Sequence, residues 1–201
     1  MLKEIRPAIV LLLGLTLITG VIYPLGMTAL SGVIFPTQAQ GSLIERDGKV
    51  IGSALIGQDF SSDNYFHGRP SATTGPDPKD ASKTAPQPYN AVNSMGANLG
   101  PTNKALIDRI TEDNAKLKAE NPGTPVPIDL VTTSGSGLDP HISPDGALFQ
   151  VPRVAKARDL PEDRVRQLVI ERTEGRFAGV LGEPRVNVLA LNMALDAAAA
   201  K

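Results

Sequence analysis

A long uncharged segment near the N-terminus constrains this chain more than any other feature. After the opening MLKEIR, no Asp, Glu, Lys or Arg occurs until Glu45, and residues 7–35 read PAIVLLLGLTLITGVIYPLGMTALSGVIF. A helix of that length extends ~43 Å, which exceeds a bilayer hydrocarbon core of about 30 Å. The sequence therefore predicts residues 1–36 as a short N-terminus with one transmembrane helix over about 7–35, followed by a separate domain over 37–201.

A cleavable signal peptide is the alternative interpretation of this segment. Signal peptides have an apolar region of about 7–15 residues that ends at a small-residue cleavage site. Residues 37–39 (Thr-Gln-Ala) fit such a site weakly, and the apolar run is too long, which favours a retained helix. Lys3 and Arg6 precede the run, and no Lys or Arg follows until Arg46. The positive-inside rule then predicts a cytoplasmic N-terminus and an extracytoplasmic domain.

Small residues within the predicted span are candidates for helix–helix contact. Thr16 with Gly20 and Thr28 with Gly32 have the small-xxx-small spacing that lets membrane helices approach closely. Glycine is also generally common in membrane helices, so ordinary usage is the competing explanation.

Composition excludes several functional classes. The 201 residues carry a net charge of -1, with 4% aromatic residues and no Trp, which argues against nucleic-acid binding. The absence of Cys excludes disulfides, thiolate catalysis and Cys-ligated metals. His67 and His141 are far apart in the chain, so no metal site is predicted and a hydrogen-bonded, buried role is expected for His67.

Local patterns after the span predict an α+β domain with long loops. Asp47-Gly48 is typical of a type I′ turn in a hairpin over 42–51, whereas residues 57–100 are rich in turn formers and lack periodicity. Ser143-Pro144 predicts a helix start, and Asp159 with Glu162 predicts a capping box. We expect helices over 102–120, 143–158, 161–172 and 189–199, and strands over 128–133 and 185–188.

The most distinctive stretch is SGSGLDPHISP at 134–144, between a predicted strand and a predicted helix. Its Ser134, Gly135, Ser136 and Gly137 form a candidate nucleotide- or anion-binding turn, because such turns present backbone N–H groups near a helix N-terminus. The alternative is a structural or partner-binding turn, with Asp139 and His141 as interface residues. A hydrolase using Ser134 or Ser136 with His141 is a third interpretation, although the Gly-x-Ser-x-Gly elbow is missing.

Asn98 and Asn103 lie in a second turn-rich stretch. Asn is suited either to locking local turns or to hydrogen bonding with a partner's backbone. Both residues are therefore candidate partner contacts, with local capping as the simpler alternative.

Five motifs carry a resemblance that covers essentially the whole chain. They are DNYFHGRPSA (63–72), NLGPTN (98–103), SGSGLDPHISP (134–144), PRVAKAR (152–158) and GEPRVNVLALN (182–192). Together with the single N-terminal span, they resemble the C subunit of the Kdp-type potassium-transporting P-type ATPase.

The resemblance implies a non-catalytic accessory subunit of a high-affinity, ATP-driven potassium importer in the bacterial inner membrane. The partners it implies are a pore-like potassium-binding subunit, an ATP-hydrolysing subunit and a small single-span subunit. It also implies stabilisation of the assembly and a catalytic-chaperone effect that raises ATP affinity, so ATP enters only through the resemblance.

The predicted topology and the implied chaperone role conflict over access to ATP. An extracytoplasmic domain does not meet cytoplasmic ATP, whereas the chaperone role suggests the cytoplasmic side. The charge asymmetry of Lys3 and Arg6 is visible in the sequence, and the chain contains no complete phosphate-binding motif. We therefore expect the domain to lie outside.

Overall fold

The computed structural model describes residues 2–199 as a mixture of helices and short strands. The chain divides into two compact units, Met1–Ser53 and Ala54–Lys201. Met1 and the last two residues, which the predicted domains include, lie outside the described residues. The α+β class predicted from the sequence is confirmed.

The first unit begins with a helical segment in three parts. Helix α1 (Leu2–Leu17) continues through a π-helical turn (Ile18–Ile22) into α2 (Tyr23–Ile34). Pro24 lies in the first turn of α2, directly after the π turn. Proline lacks an N–H to donate to the preceding turn, and a π turn is one way for a helix to accommodate that loss.

This segment has the length and composition of a membrane span. Within Lys3–Ile34, an 18-residue window has a mean hydropathy of 2.3, and no part of that window is buried. Its Leu, Ile and Val side chains face outward, with Val33 82% exposed. Phe35 leaves the helical region (φ -131°, ψ 60°), as expected for a residue before proline, and Pro36 starts the short helix α3 (Pro36–Ala39).

The hairpin predicted over 42–51 is confirmed. Strands β1 (Leu43–Arg46) and β2 (Lys49–Ser53) pair in antiparallel fashion. Both turn residues have positive φ, 53° at Asp47 and 73° at Gly48, which a type I′ turn requires.

The second unit packs helices around a small antiparallel sheet. Strand β7 (Arg185–Asn187) is central, with β5 (His141–Ile142) on one side and β6 (Thr173–Glu174) on the other. The elements of this unit are β3 (Thr74–Asp77), β4 (Asp80–Pro86), α4 (Lys104–Glu120), β5 (His141–Ile142), α5 (Pro144–Arg158), α6 (Glu162–Glu171), β6 (Thr173–Glu174), β7 (Arg185–Asn187) and α7 (Val188–Ala199).

The hydrophobic core of this unit lies between the sheet and helices α5, α6 and α7. Val165, Leu168 and Val169 of α6 face inward as predicted. Burying each such side chain contributes about 1.5–3 kcal/mol. The fully buried hydrophobic side chains are Phe66, Ala147, Val151, Val154, Val165, Val186, Leu191 and Leu195.

The aperiodic stretch over 57–100 contains a hairpin that the sequence did not predict. Strands β3 and β4 pair in antiparallel fashion, and Asp77 Oδ1 accepts a hydrogen bond of 2.8 Å from the Lys79 N–H in the turn. Most of β4 is exposed. Because the hairpin has no apolar face to bury, its sequence shows no alternation.

The strand predicted over 128–133 is wrong. Ile128–Leu130 forms a 3₁₀ turn, and the Thr132 hydroxyl donates to the Ile128 carbonyl at 2.8 Å. The Asp129 carboxylate accepts bonds from the Ser143 N–H (2.6 Å) and hydroxyl (3.1 Å). These local bonds favour a turn over an extended strand.

The helix start at Ser143 is confirmed, but the capping box at Asp159 and Glu162 is wrong. Ser143 Oγ accepts from the Gly146 N–H at 2.9 Å, and Pro144 opens α5. Asp159 instead ends α5 in the left-handed region (φ 54°), and Pro161 is the N-cap of α6. The connection between α5 and α6 is so short that Asp159 ends α5 and does not cap α6.

Candidate partner-binding surface around the serine–glycine turn

The turn over Ser134–Gly137 is held by its own serine hydroxyls. Ser134 Oγ accepts a hydrogen bond from the Gly137 N–H at 2.9 Å, and Ser136 Oγ accepts one from the Leu138 N–H at 3.1 Å. Gly137 has a φ of 68°, which glycine adopts at no steric cost. Two of the N–H groups that an anion would use are therefore occupied within the turn, while Gly135 and Ser136 form its exposed tip.

Neighbouring loops fix the position of this turn. The Met95 N–H donates to the Ser136 carbonyl at 3.0 Å, and the Ser71 hydroxyl donates to the Gly137 carbonyl at 2.7 Å. The Gly57 N–H donates to the Leu138 carbonyl at 2.8 Å. The turn is thus a rigid feature assembled from segments that are distant in sequence.

Asp139 and His141 lie together beside the turn. Asp139 accepts from the His141 N–H at 3.0 Å and from Arg69 Nη1 at 3.3 Å, and His141 Nδ1 lies 3.5 Å from Asp139 Oδ1. Burial works to raise the pKa of Asp139, but the hydrogen bonds from His141 and the charge of Arg69 outweigh it and lower the pKa. Asp139 is therefore ionised at neutral pH and anchors this corner.

A polar cleft of about 370 Å³ opens at this corner. It brings together two predicted interface residues, Asp139 and His141, with charged residues from other segments. Its charged and histidine side chains are Arg69, Asp129, Asp139, His141, Glu183 and Arg185.

The arrangement does not connect a serine to a histidine. The hydroxyls of Ser134 and Ser136 accept backbone N–H groups and lie 3.5 Å from each other. Over residues 2–199, His141 makes no hydrogen bond with either hydroxyl, so the nucleophile–base contact that a hydrolase requires is not made. The same described residues contain no group of three or more His, Asp or Glu side chains placed to hold a metal ion.

The structure gives the two predicted asparagines different settings. Asn103 Oδ1 accepts from the Ala105 N–H at 2.9 Å and is the N-cap of α4. Asn98 is exposed and adopts the left-handed conformation with φ 51°. Local capping therefore occupies Asn103, whereas the exposed Asn98 stays a predicted partner contact.

The small residues of the helical segment all face outward. Thr28 Oγ1 donates to the Pro24 carbonyl at 2.8 Å, and this bond satisfies its hydroxyl within the helix. A Cβ added at Gly20 or Gly32 would meet no atom within 4 Å. Together with the exposed Thr16, these positions leave room for another helix, and their role in contact stays a prediction.

Arg153, which the sequence did not identify, connects several segments of the second unit. Its guanidinium donates to Glu120 Oε1 and the Asp63 carbonyl, both at 2.7 Å, and to Gln150 Oε1 at 2.8 Å. The only signal in the sequence was its place in one of the five motifs. His67 lies nearby, and burial, followed by the charge of Arg153, lowers its pKa.

Tyr89 is a second residue that the sequence did not identify. Its backbone has a φ of 56°, and its hydroxyl donates to the Arg69 carbonyl at 2.8 Å. Burial, reinforced by the carboxylates of Asp139 and Asp59, raises the pKa of Tyr89 well above its usual range. The neutral phenol therefore supports the segment that carries Arg69.

Comparison with known proteins agrees with the resemblance. A family model described as "KdpC: K+-transporting ATPase, c chain" matches residues 5–197. A Potassium-transporting ATPase KdpC subunit of Rhodopseudomonas palustris (strain BisB18) is 76% identical over 198 residues, covering 98% of this chain and all of that protein. Its counterpart in Bradyrhizobium diazoefficiens is 71% identical over 201 residues, covering both chains completely. The chain therefore belongs to the KdpC family of potassium-transporting ATPase subunits.

Proposed function

We propose that this chain is the non-catalytic accessory subunit of an ATP-driven potassium importer and that it stabilises the assembled complex. The observation that carries this proposal is the family match over residues 5–197, which includes both the apolar helix and the folded unit. The partners are a potassium-binding subunit, an ATP-hydrolysing subunit and a small single-span subunit. The polar cleft beside Asp139 and His141 supports a docking role.

The membrane topology is part of this proposal. The apolar helix Lys3–Ile34 crosses the bacterial inner membrane once, with the N-terminus in the cytoplasm and the folded unit outside. Lys3 and Arg6 support this orientation, because basic residues are retained on the cytoplasmic side.

The effect on ATP affinity is then indirect. An extracytoplasmic unit raises the ATP affinity of the hydrolysing subunit only by favouring one conformation of the partner it contacts. The internal hydrogen bonds of Gly137 and Leu138 support this view, because they occupy N–H groups that a nucleotide phosphate would use.

Labelling of single cysteines tests the topology. The chain has no Cys, so Ser136→Cys introduces one thiol at the exposed tip of the turn, and Glu4→Cys introduces one at the N-terminal end of the apolar helix, ahead of the uncharged run that begins at Pro7. Each variant is treated with a membrane-impermeant maleimide in intact and in lysed spheroplasts. We expect Ser136→Cys to react in intact spheroplasts and Glu4→Cys only after lysis.

The reverse labelling pattern would refute the proposed topology and make direct contact with ATP possible. Protection of both positions until lysis would place the N-terminus and the folded unit on the same side, and it would also rule out a single retained span.

Co-purification tests the docking role. A tag on the full chain should retain the other three subunits in mild detergent, and His141→Ala should reduce that retention. We expect the melting temperature of the His141→Ala variant to stay near that of the wild type, because the His141 N–H bond to Asp139 does not need the imidazole. A large fall in melting temperature with normal retention would assign His141 a structural role only.

A further inference from the structure

A small apolar protrusion lies next to the polar cleft. Phe177 is 77% exposed, Val180 71% and Leu181 62%. Single exposed hydrophobic residues are ordinary on protein surfaces, but three within five residues form a patch whose exposure to water is unfavourable. We call these three side chains the apolar knob.

The backbone holds the apolar knob in a defined shape. The Phe177 N–H donates to the Leu181 carbonyl at 2.8 Å, and the Leu181 N–H donates back to the Phe177 carbonyl at 3.0 Å. Ala178 and Gly179 form the loop tip with φ values of 50° and 77°. A loop closed in this way loses little conformational entropy on binding, so the apolar knob is preorganised for a partner.

The base of the apolar knob is electrically balanced. Arg176 pairs with Glu183 at 2.7 Å, and Arg185 pairs with Glu174 at 3.0 Å. Segments that bind membrane surfaces usually carry an excess of Lys and Arg, which draws them to anionic lipid. Two acids matched with two bases supply no such attraction, which favours a protein partner over a bilayer.

The apolar knob is continuous with the polar cleft. Glu183, which pairs at the base of the knob, also lines the cleft together with Asp139 and His141. An apolar anchor bordered by polar and charged groups is the usual anatomy of a protein–protein interface. A bilayer would bury the apolar side chains, but it would place no specific binding partner against the cleft.

We propose that the apolar knob docks into an apolar socket on another protein of the same complex, with polar groups at the socket's rim meeting the cleft. This inference rests on the proposed accessory-subunit function and names the surface that performs it. Removing such an anchor reduces partner retention about tenfold or more.

Charge substitution in the full-length chain tests the apolar knob. Phe177→Glu and Val180→Glu place a carboxylate where the socket is apolar, and Val92→Glu is the matched control because Val92 is 95% exposed elsewhere on the same unit. We expect both knob variants to lose the other subunits on co-purification in detergent, and the control to keep them. All three melting temperatures should match the wild type, since no buried contact changes.

Photo-crosslinking identifies the occupant independently of stability. A benzoylphenylalanine at position 177 keeps an aromatic ring there and should yield an adduct with another subunit of the complex. A homodimer of this chain, or lipid adducts alone, would overturn the proposal, as would normal retention of partners by both knob variants. If the wild-type chain itself retains no other subunit, the accessory-subunit function fails as well.

Discussion

Tyr89 fills space that two glycines leave open. An added Cβ at Gly57 would overlap the Tyr89 ring and lie 2.8 Å from the Asp139 carbonyl, and one at Gly68 would overlap the Tyr89 hydroxyl. The Asp139 carbonyl is backbone and does not move aside as a flexible side chain does. At residue scale, this close packing leaves no room for a side chain at either glycine.

We expect Gly57→Ala to lower the free energy of unfolding by about 1–3 kcal/mol, the usual cost of overpacking. Gly135→Ala is the control, because a Cβ there meets nothing within 4 Å. Denaturation of both full-length variants in detergent measures the difference. Equal stability of the two variants would show that Tyr89 moves without cost.

The pKa of His67 links stability to pH. Its pKa in the folded protein is lowered from 6.5, so the unfolded chain binds the proton more readily. Stability from this site is therefore complete above about pH 6.5 and declines as the pH falls through 6.5 towards the folded-state pKa. The imidazole Nε2–H donates to the Ser62 carbonyl at 3.0 Å, so the hydrogen-bonded role expected for His67 is confirmed, but the residue is half-buried and not fully buried.

We expect His67→Gln to reduce the loss of melting temperature between pH 7.5 and pH 5.5, because the amide retains a donor and does not titrate. His141→Gln controls for the removal of a histidine elsewhere. Melting curves of the three full-length proteins at several pH values give the comparison. An unchanged pH dependence in His67→Gln would assign the acid sensitivity to other groups.

At the scale of elements, the side chain of Asn103 caps the N-terminus of α4. We expect Asn103→Ala to destabilise the protein by about 1 kcal/mol, because the Ala105 N–H loses its acceptor. Asn103→Asp should restore stability, since a carboxylate accepts the same bond. Chemical denaturation measures the stability of both variants. If Asn103→Asp is as stable as the wild type but no longer retains the partners, Asn103 is a partner contact.

Elements defined by local chemistry were predictable, and elements without a local signal were not. Asp47-Gly48 and Ser143-Pro144 specify a turn and a helix start through their own backbone preferences. The β3–β4 hairpin is polar and exposed, so no hydrophobic period marks it. The apolar residues at 128–131 resembled a strand, but Asp129 bonds to Ser143, and Ile128–Leu130 forms a 3₁₀ turn instead.

At the scale of the whole molecule, every hydrophobic-core residue in the part of the chain that the structure describes lies after Ser53. We therefore expect a fragment of residues 54–201 to fold cooperatively without detergent and to melt within about 3 °C of a fragment of residues 37–201. Calorimetry or circular dichroism on the purified fragments checks this.

A shorter fragment, residues 60–201, is the control for that experiment. It removes the Ala54 carbonyl, which accepts from Asn187 Nδ2 at 3.0 Å, and the Gly57 N–H bond to Leu138. We expect a clear decrease in melting temperature. If residues 54–201 melt far below residues 37–201, the hairpin β1–β2 is required for the fold.

Local sequence patterns were enough to predict the apolar helix, the Asp47-Gly48 hairpin turn, the helix start at Ser143 and the family. These features depend on segment length, hydropathy and backbone preference, which act within a few residues. The tertiary structure was needed to show that Asn192 bonds to Phe66, that Arg153 joins Asp63 to Glu120, and that Glu183 both pairs at the base of the apolar knob and lines the cleft. Such contacts join residues far apart in the chain, and folding selects them because buried polar groups must find partners once water is excluded.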